Sequence, residues 1–168
     1  MIDKEIMDLI KSKIRDSPSG ISAVYIQIYK EWGLKLFSSN LSRDLCHKRQ
    51  KICHKAGWAP KAGAKIDIEI SPDDKDLFTI DNNVHQFGYL TEHLFTLPNT
   101  DSYNHGLCAD LYKLAEEEIN EWKNKYEDKI DIWFKEIKEK TGWYFYDRHM
   151  FNWGRTKEGK WVPIDFGG

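Results

Sequence analysis

The sequence predicts an α+β protein, with a β-rich part over residues 1–95 that carries one helix and a mainly helical part over residues 96–168. Three observations predict it. Apolar and polar side chains alternate through AVYIQIYKEWGLKLF, a period of two that suits strands. Ile119, Trp122, Tyr126, Ile130, Trp133 and Ile137 instead step by three or four through a highly charged background, the period of a long helix. The final stretch, YDRHMFNWGRTKEGKWVPIDFGG, contains two strand-like segments joined by a short turn.

Taken in order, Ile2, Ile6, Ile10 and Ile14 lie four apart and give a helix with one apolar stripe over residues 2–14. DSPSG is a loop by composition. Next, Val24, Ile26 and Ile28 share one face of a strand and Tyr25, Gln27 and Tyr29 the other. A KEWG turn leads to a second short strand, in which Lys35 sits between Leu34 and Leu36 and faces away from them. Leu45, Cys46, Ile52, Cys53 and Ala56 follow a helical period over residues 42–56, with Gly57 as the stop and Pro60 beyond. AKIDIEI, residues 64–70, alternates again, SPDDKD turns, and FGYLTEHLF forms another strand that runs out at LPNTDS. The later helical run ends at Thr141-Gly142, and NWGRT pairs with KWVPID across a KEG turn.

A chain of 168 residues suffices for one domain, or for two small lobes sharing one cleft, and buries roughly two thirds of its unfolded surface. Seven Trp, eight Tyr and eight Phe supply large apolar areas for a packed core. The 25 basic and 27 acidic side chains leave a net charge of -2, which offers no global attraction to nucleic acid or to an acidic membrane surface. No stretch approaches the roughly 20 apolar residues that cross a bilayer, and the N-terminus is amphipathic and carries acids, unlike a secretion signal. The expectation is a soluble cytoplasmic protein.

Cys46, Cys53 and Cys108 are odd in number and suit no disulfide framework. Cys46-His47 and Cys53-His54 repeat at seven residues, but two such pairs on one helix do not close a zinc tetrahedron. Core packing is the expected role of these thiols.

In the terminal stretch, the hairpin brings Asp165 back beside the loop that holds Asp147 and Asn152, so two carboxylates and an amide converge at one end. Hard oxygen donors gathered this way suit Mg²⁺, which takes one or two carboxylates and lets substrate phosphates and water complete its octahedron. The remaining carboxylate can accept a proton or orient a hydroxyl.

DRHMFN followed by IDFG resembles the catalytic loop and metal-binding DFG of the protein-kinase-like superfamily, with the Asp-to-Asn spacing of H-R-D-x-x-x-x-N preserved. His149 makes the variant D-x-H-x-x-N, which is similar to the small-molecule and atypical branches, including aminoglycoside and choline kinases. The resemblance implies a two-lobed fold with a small antiparallel β-sheet N-lobe bearing one helix, and a reduced, mainly helical C-lobe. It implies ATP and Mg²⁺ as cofactors. Lys35 would hold the α and β phosphates, Asn152 and Asp165 the metal, and Asp147 the acceptor hydroxyl.

The same resemblance lays SPSGISAV on the phosphate loop, giving Ser17, Ser19, Gly20, Ser22 and Val24 as nucleotide-binding positions. It makes Thr91 the gatekeeper and aims the Glu92 carbonyl and Leu94 amide at an adenine edge. Gln50 falls where a glutamate would pair with the lysine, with Asp44 the other candidate acid, and His149 supports the catalytic loop. Phe145 and Tyr146 hold the usual His and Arg positions, which removes the arginine that answers a phosphorylated activation loop.

Only three residues follow Asp165, so the resemblance implies a minimal form without the peptide-presenting platform, whose uncovered surface a protein partner or a homodimer would complete. Phosphoryl transfer rests mainly on positioning and electrostatics, so an ATP-dependent phosphotransferase is the leading expectation. The alternative is a pseudokinase-like module that binds a nucleotide or a protein without catalysis.

Overall fold

The computed structural model describes residues 2–17, 23–97, 109–145 and 148–167. The chain divides into two compact units, one of Met1–Lys55, Ala59–His93 and Phe166–Gly168, the other of Ala56–Trp58 and Leu94–Asp165. Each mixes helices with antiparallel strands, an α+β organisation.

The first unit begins with helix α1 (Lys4–Lys13), started by Asp3, whose carboxylate accepts from the Ile6 amide at 2.9 Å. Strands β1 (Ala23–Gln27) and β2 (Trp32–Phe37) follow, then helix α2 (Asn40–Lys55), strand β3 (Ala62–Asp67), a small hairpin of β4 (Thr79–Ile80) and β5 (Asn83–Val84), and strand β6 (Phe87–Glu92). The hairpin turns through Asp81 and Asn82, both at positive φ, as a two-residue primed turn requires. The main sheet runs in the order β1-β2-β6-β3, antiparallel throughout.

Val24 faces Leu36 and Ile26 faces Leu34 across the first ladder, so these four side chains share one side of the sheet. There they form a core with Ile10 and Ile14, and with Ile68 and Phe78. Gly88 fits against this pair of strands because a Cβ at that position would come within 3.0 Å of the Leu34 side chain and the Lys35 carbonyl. The helix expected over residues 2–14 is present, and among the described residues no strand precedes Ala23, so the first strand of a kinase N-lobe has no counterpart there. The strand expected over residues 64–70 runs over Ala62–Asp67, with a bulge between Ala62 and Lys65.

The second unit pairs β7 (Phe95–Thr96) with β8 (Trp153–Arg155), and β8 with β9 (Trp161–Pro163), beside helices α3 (Ala109–Tyr126) and α4 (Ile130–Thr141). The expected terminal hairpin is present, with Gly159 at φ 85 in its turn. Gly142, at φ 74, ends α4 by donating its amide to the Lys138 carbonyl at 2.8 Å. The single long helix read from the sequence is two helices, broken by a 3-10 turn at Glu127–Lys129. Before this turn Trp122 meets Trp161 (ring centroids 5.8 Å) and after it Trp133 meets Trp153 (5.2 Å), so both helices grip one short hairpin. Phe134 stacks on Trp153 from the same helix.

No helix among the described residues is long and apolar enough to cross a membrane. Trp153 is fully buried at the meeting point of α4 and the hairpin, so Trp153→Ala is expected to cost about 3–5 kcal/mol. Urea unfolding monitored by Trp fluorescence measures it; a loss under 1 kcal/mol would mean that the ring cluster does not hold this unit together.

Candidate functional site

Lys35 occupies an inner strand, opposite Tyr25 on β1 and Tyr89 on β6. Because Leu34 and Leu36 enter the core with α1, Lys35 projects from the other side of the sheet, as its alternation requires. Its ammonium lies 5.9 Å from the centre of the Tyr89 ring and 5.5 Å from that of Phe166, within cation–π range of both. Phe166 is 1 % exposed, and its carbonyl accepts from Nη1 of Arg49 on α2 at 3.2 Å. Burial lowers the Arg49 pKa. The residue directly after Asp165 is thus fixed under the Lys35 ammonium and tied to α2.

Neither acid-position candidate on α2 serves Lys35. Gln50 is fully buried; its amide nitrogen donates to the Pro60 carbonyl at 3.0 Å and to Thr91 Oγ1 at 2.7 Å, and its oxygen accepts from the Tyr89 hydroxyl at 2.7 Å. It locks α2 to β6 and fixes the Thr91 side chain. Asp44 instead accepts from Arg43 Nε at 2.7 Å and from Lys65 Nζ at 3.2 Å, and the Arg43 bond leads the pair in holding its carboxyl below the usual range. Arg43 continues to Asp67 and the Gly88 carbonyl.

Cys46 and Cys53 are buried thiols. His47 bonds the Gly63 carbonyl and His54 the Ala59 carbonyl. These contacts tie α2 to β3 and to the segment between them. No cluster of three or more metal-ligating His, Cys, Asp or Glu occurs among the described residues, and Cys108 lies outside them.

Val24 requires a correction. It belongs to the core with α1, on the opposite side of the sheet from Lys35, so the two side chains cannot line one pocket. Tyr25 takes the place on the Lys35 side. Ser17 also differs from its expected role, since its hydroxyl donates to the Lys13 carbonyl at 2.7 Å and closes the turn after α1. Ser19, Gly20 and Ser22 lie outside the described residues, as do Tyr146 and Asp147.

Thr91 is buried at the end of β6 and faces Gly33 across the ladder. The Glu92 amide donates to the Lys61 carbonyl at 2.9 Å, and the boundary between the two units falls after His93, just before Leu94. Leu94 packs against Gly154, where a Cβ would come within 3.0 Å of it.

Sequence reasoning missed the Tyr25–His93 pair. The hydroxyl and Nδ1 are 2.5 Å apart, with ring centroids at 5.7 Å and planes 19° apart. Burial raises the Tyr25 pKa and lowers that of His93. The available signal was Gly33, since a glycine inside a strand marks a close approach.

In the second unit, Trp153 pairs with Pro163, and one step further the Ile164 amide donates to the Asn152 carbonyl at 2.9 Å. The extended hairpin therefore brings the half-buried Asn152 alongside the residue that precedes the exposed Asp165. His149 shapes the loop: its Nδ1 accepts from the Phe151 amide at 3.3 Å, and its carbonyl accepts from the Asn152 amide at 3.0 Å. Arg148 pairs with Asp131 on α4, and Phe145 stacks on Phe134.

If Gln50 were a weak substitute for a lysine-pairing glutamate, Gln50→Glu would be tolerated. The observed network predicts the opposite, because a carboxylate would face the Pro60 carbonyl without a proton to donate. A loss of about 2–4 kcal/mol in chemical denaturation is expected; an unchanged or raised midpoint would discard the network as a stabilising element.

The chain matches no family model, no curated protein and no solved structure.

Proposed function

We propose that the chain is a kinase-like, ATP- and Mg²⁺-dependent phosphotransferase acting on a hydroxyl group. The observation that carries the reading is the placement of Phe166 under the Lys35 ammonium, which ties the DFG-like stretch to the one lysine its motif requires. Two segments separated by most of the sequence meet in the order the resemblance implies, and α2 follows the lysine strand and contributes Arg49 to the contact.

Asn152 and Asp165 offer an amide and a carboxylate oxygen, hard donors that fit Mg²⁺. The Ile164–Asn152 backbone bond holds their segments in register. The ion supplies charge neutralisation for bound phosphates. Lys35 places a positive charge on the side of the sheet opposite α1, over the Phe166 ring, to grip the α and β phosphates. Asp147 orients the acceptor hydroxyl, an assignment made by the D-x-H-x-x-N spacing, with His149 shaping the loop between them.

A second reading, a nucleotide-binding module without turnover, is favoured by one observation. Neither Gln50 nor Asp44 gives Lys35 a carboxylate from α2.

Wild-type protein is expected to gain about 5–10 °C in Tm with Mg-ATP at roughly 100 times Kd. Lys35→Met and Asp165→Asn should each weaken binding at least about tenfold in titration calorimetry. Equal affinity in both variants would remove the assigned roles. Release of labelled phosphate then separates the readings: binding without release selects the second.

A further inference from the structure

We propose that Tyr25 is an internal occupant of the base position, and that its ring must leave the surface of β2 before a nucleotide held by Lys35 can lay its base along β6. The proposal rests on the nucleotide-binding reading above. Register defines the place. Lys35 faces Tyr89, Gly33 faces Thr91 and Trp32 faces Glu92, so the sheet surface between the ammonium and the Glu92 backbone is that of Gly33 and Thr91. A flat ligand that reaches both ends has to cross it.

Tyr25 already lies there. A Cβ at Gly33 would fall within 2.5 Å of the Tyr25 Cε2, and closer still to its Cζ and hydroxyl oxygen. The ring is therefore pressed onto the bare strand with no gap for a second ring beneath it. Its hydroxyl is anchored on His93 Nδ1, directly beyond the end of β6, with the two ring planes 19° apart. The raised phenol pKa and lowered imidazole pKa, both from burial, keep a neutral donor and a neutral acceptor in place near pH 7. The absent side chain at Gly33 is what permits the arrangement.

A closed state of this kind reduces apparent nucleotide affinity by the fraction of molecules that are open. It leaves a ligand that lacks a base unaffected. The test is calorimetric titration of wild type, Tyr25→Ala and His93→Ala with Mg-ATP and, separately, with Mg-tripolyphosphate. Tyr25→Ala is expected to bind Mg-ATP about tenfold tighter than wild type, with tripolyphosphate affinity unchanged. His93→Ala keeps the ring but removes its anchor, and should tighten ATP binding by a smaller factor, which preserves the test if Tyr25→Ala folds poorly.

Equal ATP affinity in all three proteins overturns the proposal. So does weaker ATP binding by a folded Tyr25→Ala, which would make the ring a stacking surface, or an equal gain for tripolyphosphate. If none of the three binds either ligand, the nucleotide reading itself fails, an outcome separate from failure of the occupant alone.

Discussion

The alternation along β2 is the constraint on which the first unit depends. Leu34 and Leu36 are both fully buried against Ile10 of α1 and Ile14 just beyond it, and a strand that turns these two side chains inward turns Gly33, Lys35 and Phe37 the other way. A slip of one residue would drive an ammonium into the apolar core and expose two leucines, so register is enforced from both directions. The neighbouring strands inherit it, which puts Tyr25, Tyr89 and Thr91 on the side of Lys35.

That second side of the sheet is finished by polar groups satisfied within the unit. Gln50 joins Tyr89, Thr91 and Pro60 in one buried network, and Arg43 joins Asp44, Asp67 and the Gly88 carbonyl in another. Both networks originate on α2 and end on β3, β6 or the segment between α2 and β3, so the helix is held at fixed depth by directional bonds as well as by packing. Phe166 completes the surface, with Arg49 on its carbonyl and Lys35 over its ring. The second unit achieves rigidity by different means. Trp122, Tyr126, Trp133, Trp153 and Trp161 form a continuous ring cluster that clamps a three-residue-per-strand hairpin. A short hairpin is marginal alone, and here two helices supply the apolar face it lacks.

Much of this was legible in the sequence because period carries strand and helix identity directly. The hairpin of β1 and β2, the direction of Lys35, helix α2 with its stop at Gly57, the Gly142 stop and the terminal hairpin all follow from alternation, spacing and glycine chemistry. The 3-10 break at Glu127–Lys129 was not legible, because the apolar steps on either side of it continue without interruption and no Gly or Pro marks it. On either side of it, two tryptophans eleven positions apart meet the same small hairpin. Val24 was misassigned by counting along a motif, whereas parity in the ladder sends it to the α1 side.

Side-chain type and local period need no knowledge of distant partners, so the kind of element on which each candidate residue stands could be read from the chain alone. What those residues touch was set by the folded arrangement. It turned Gln50 into a three-way hydrogen-bonded pin, paired Asp44 with Arg43 and Lys65, and set Phe166 under Lys35. It also laid Tyr25 across a bare glycine to reach His93, sixty-eight residues away. Such contacts join residues far apart in the chain, and they are selected by packing and by the need to satisfy buried polar atoms, neither of which leaves a periodic trace.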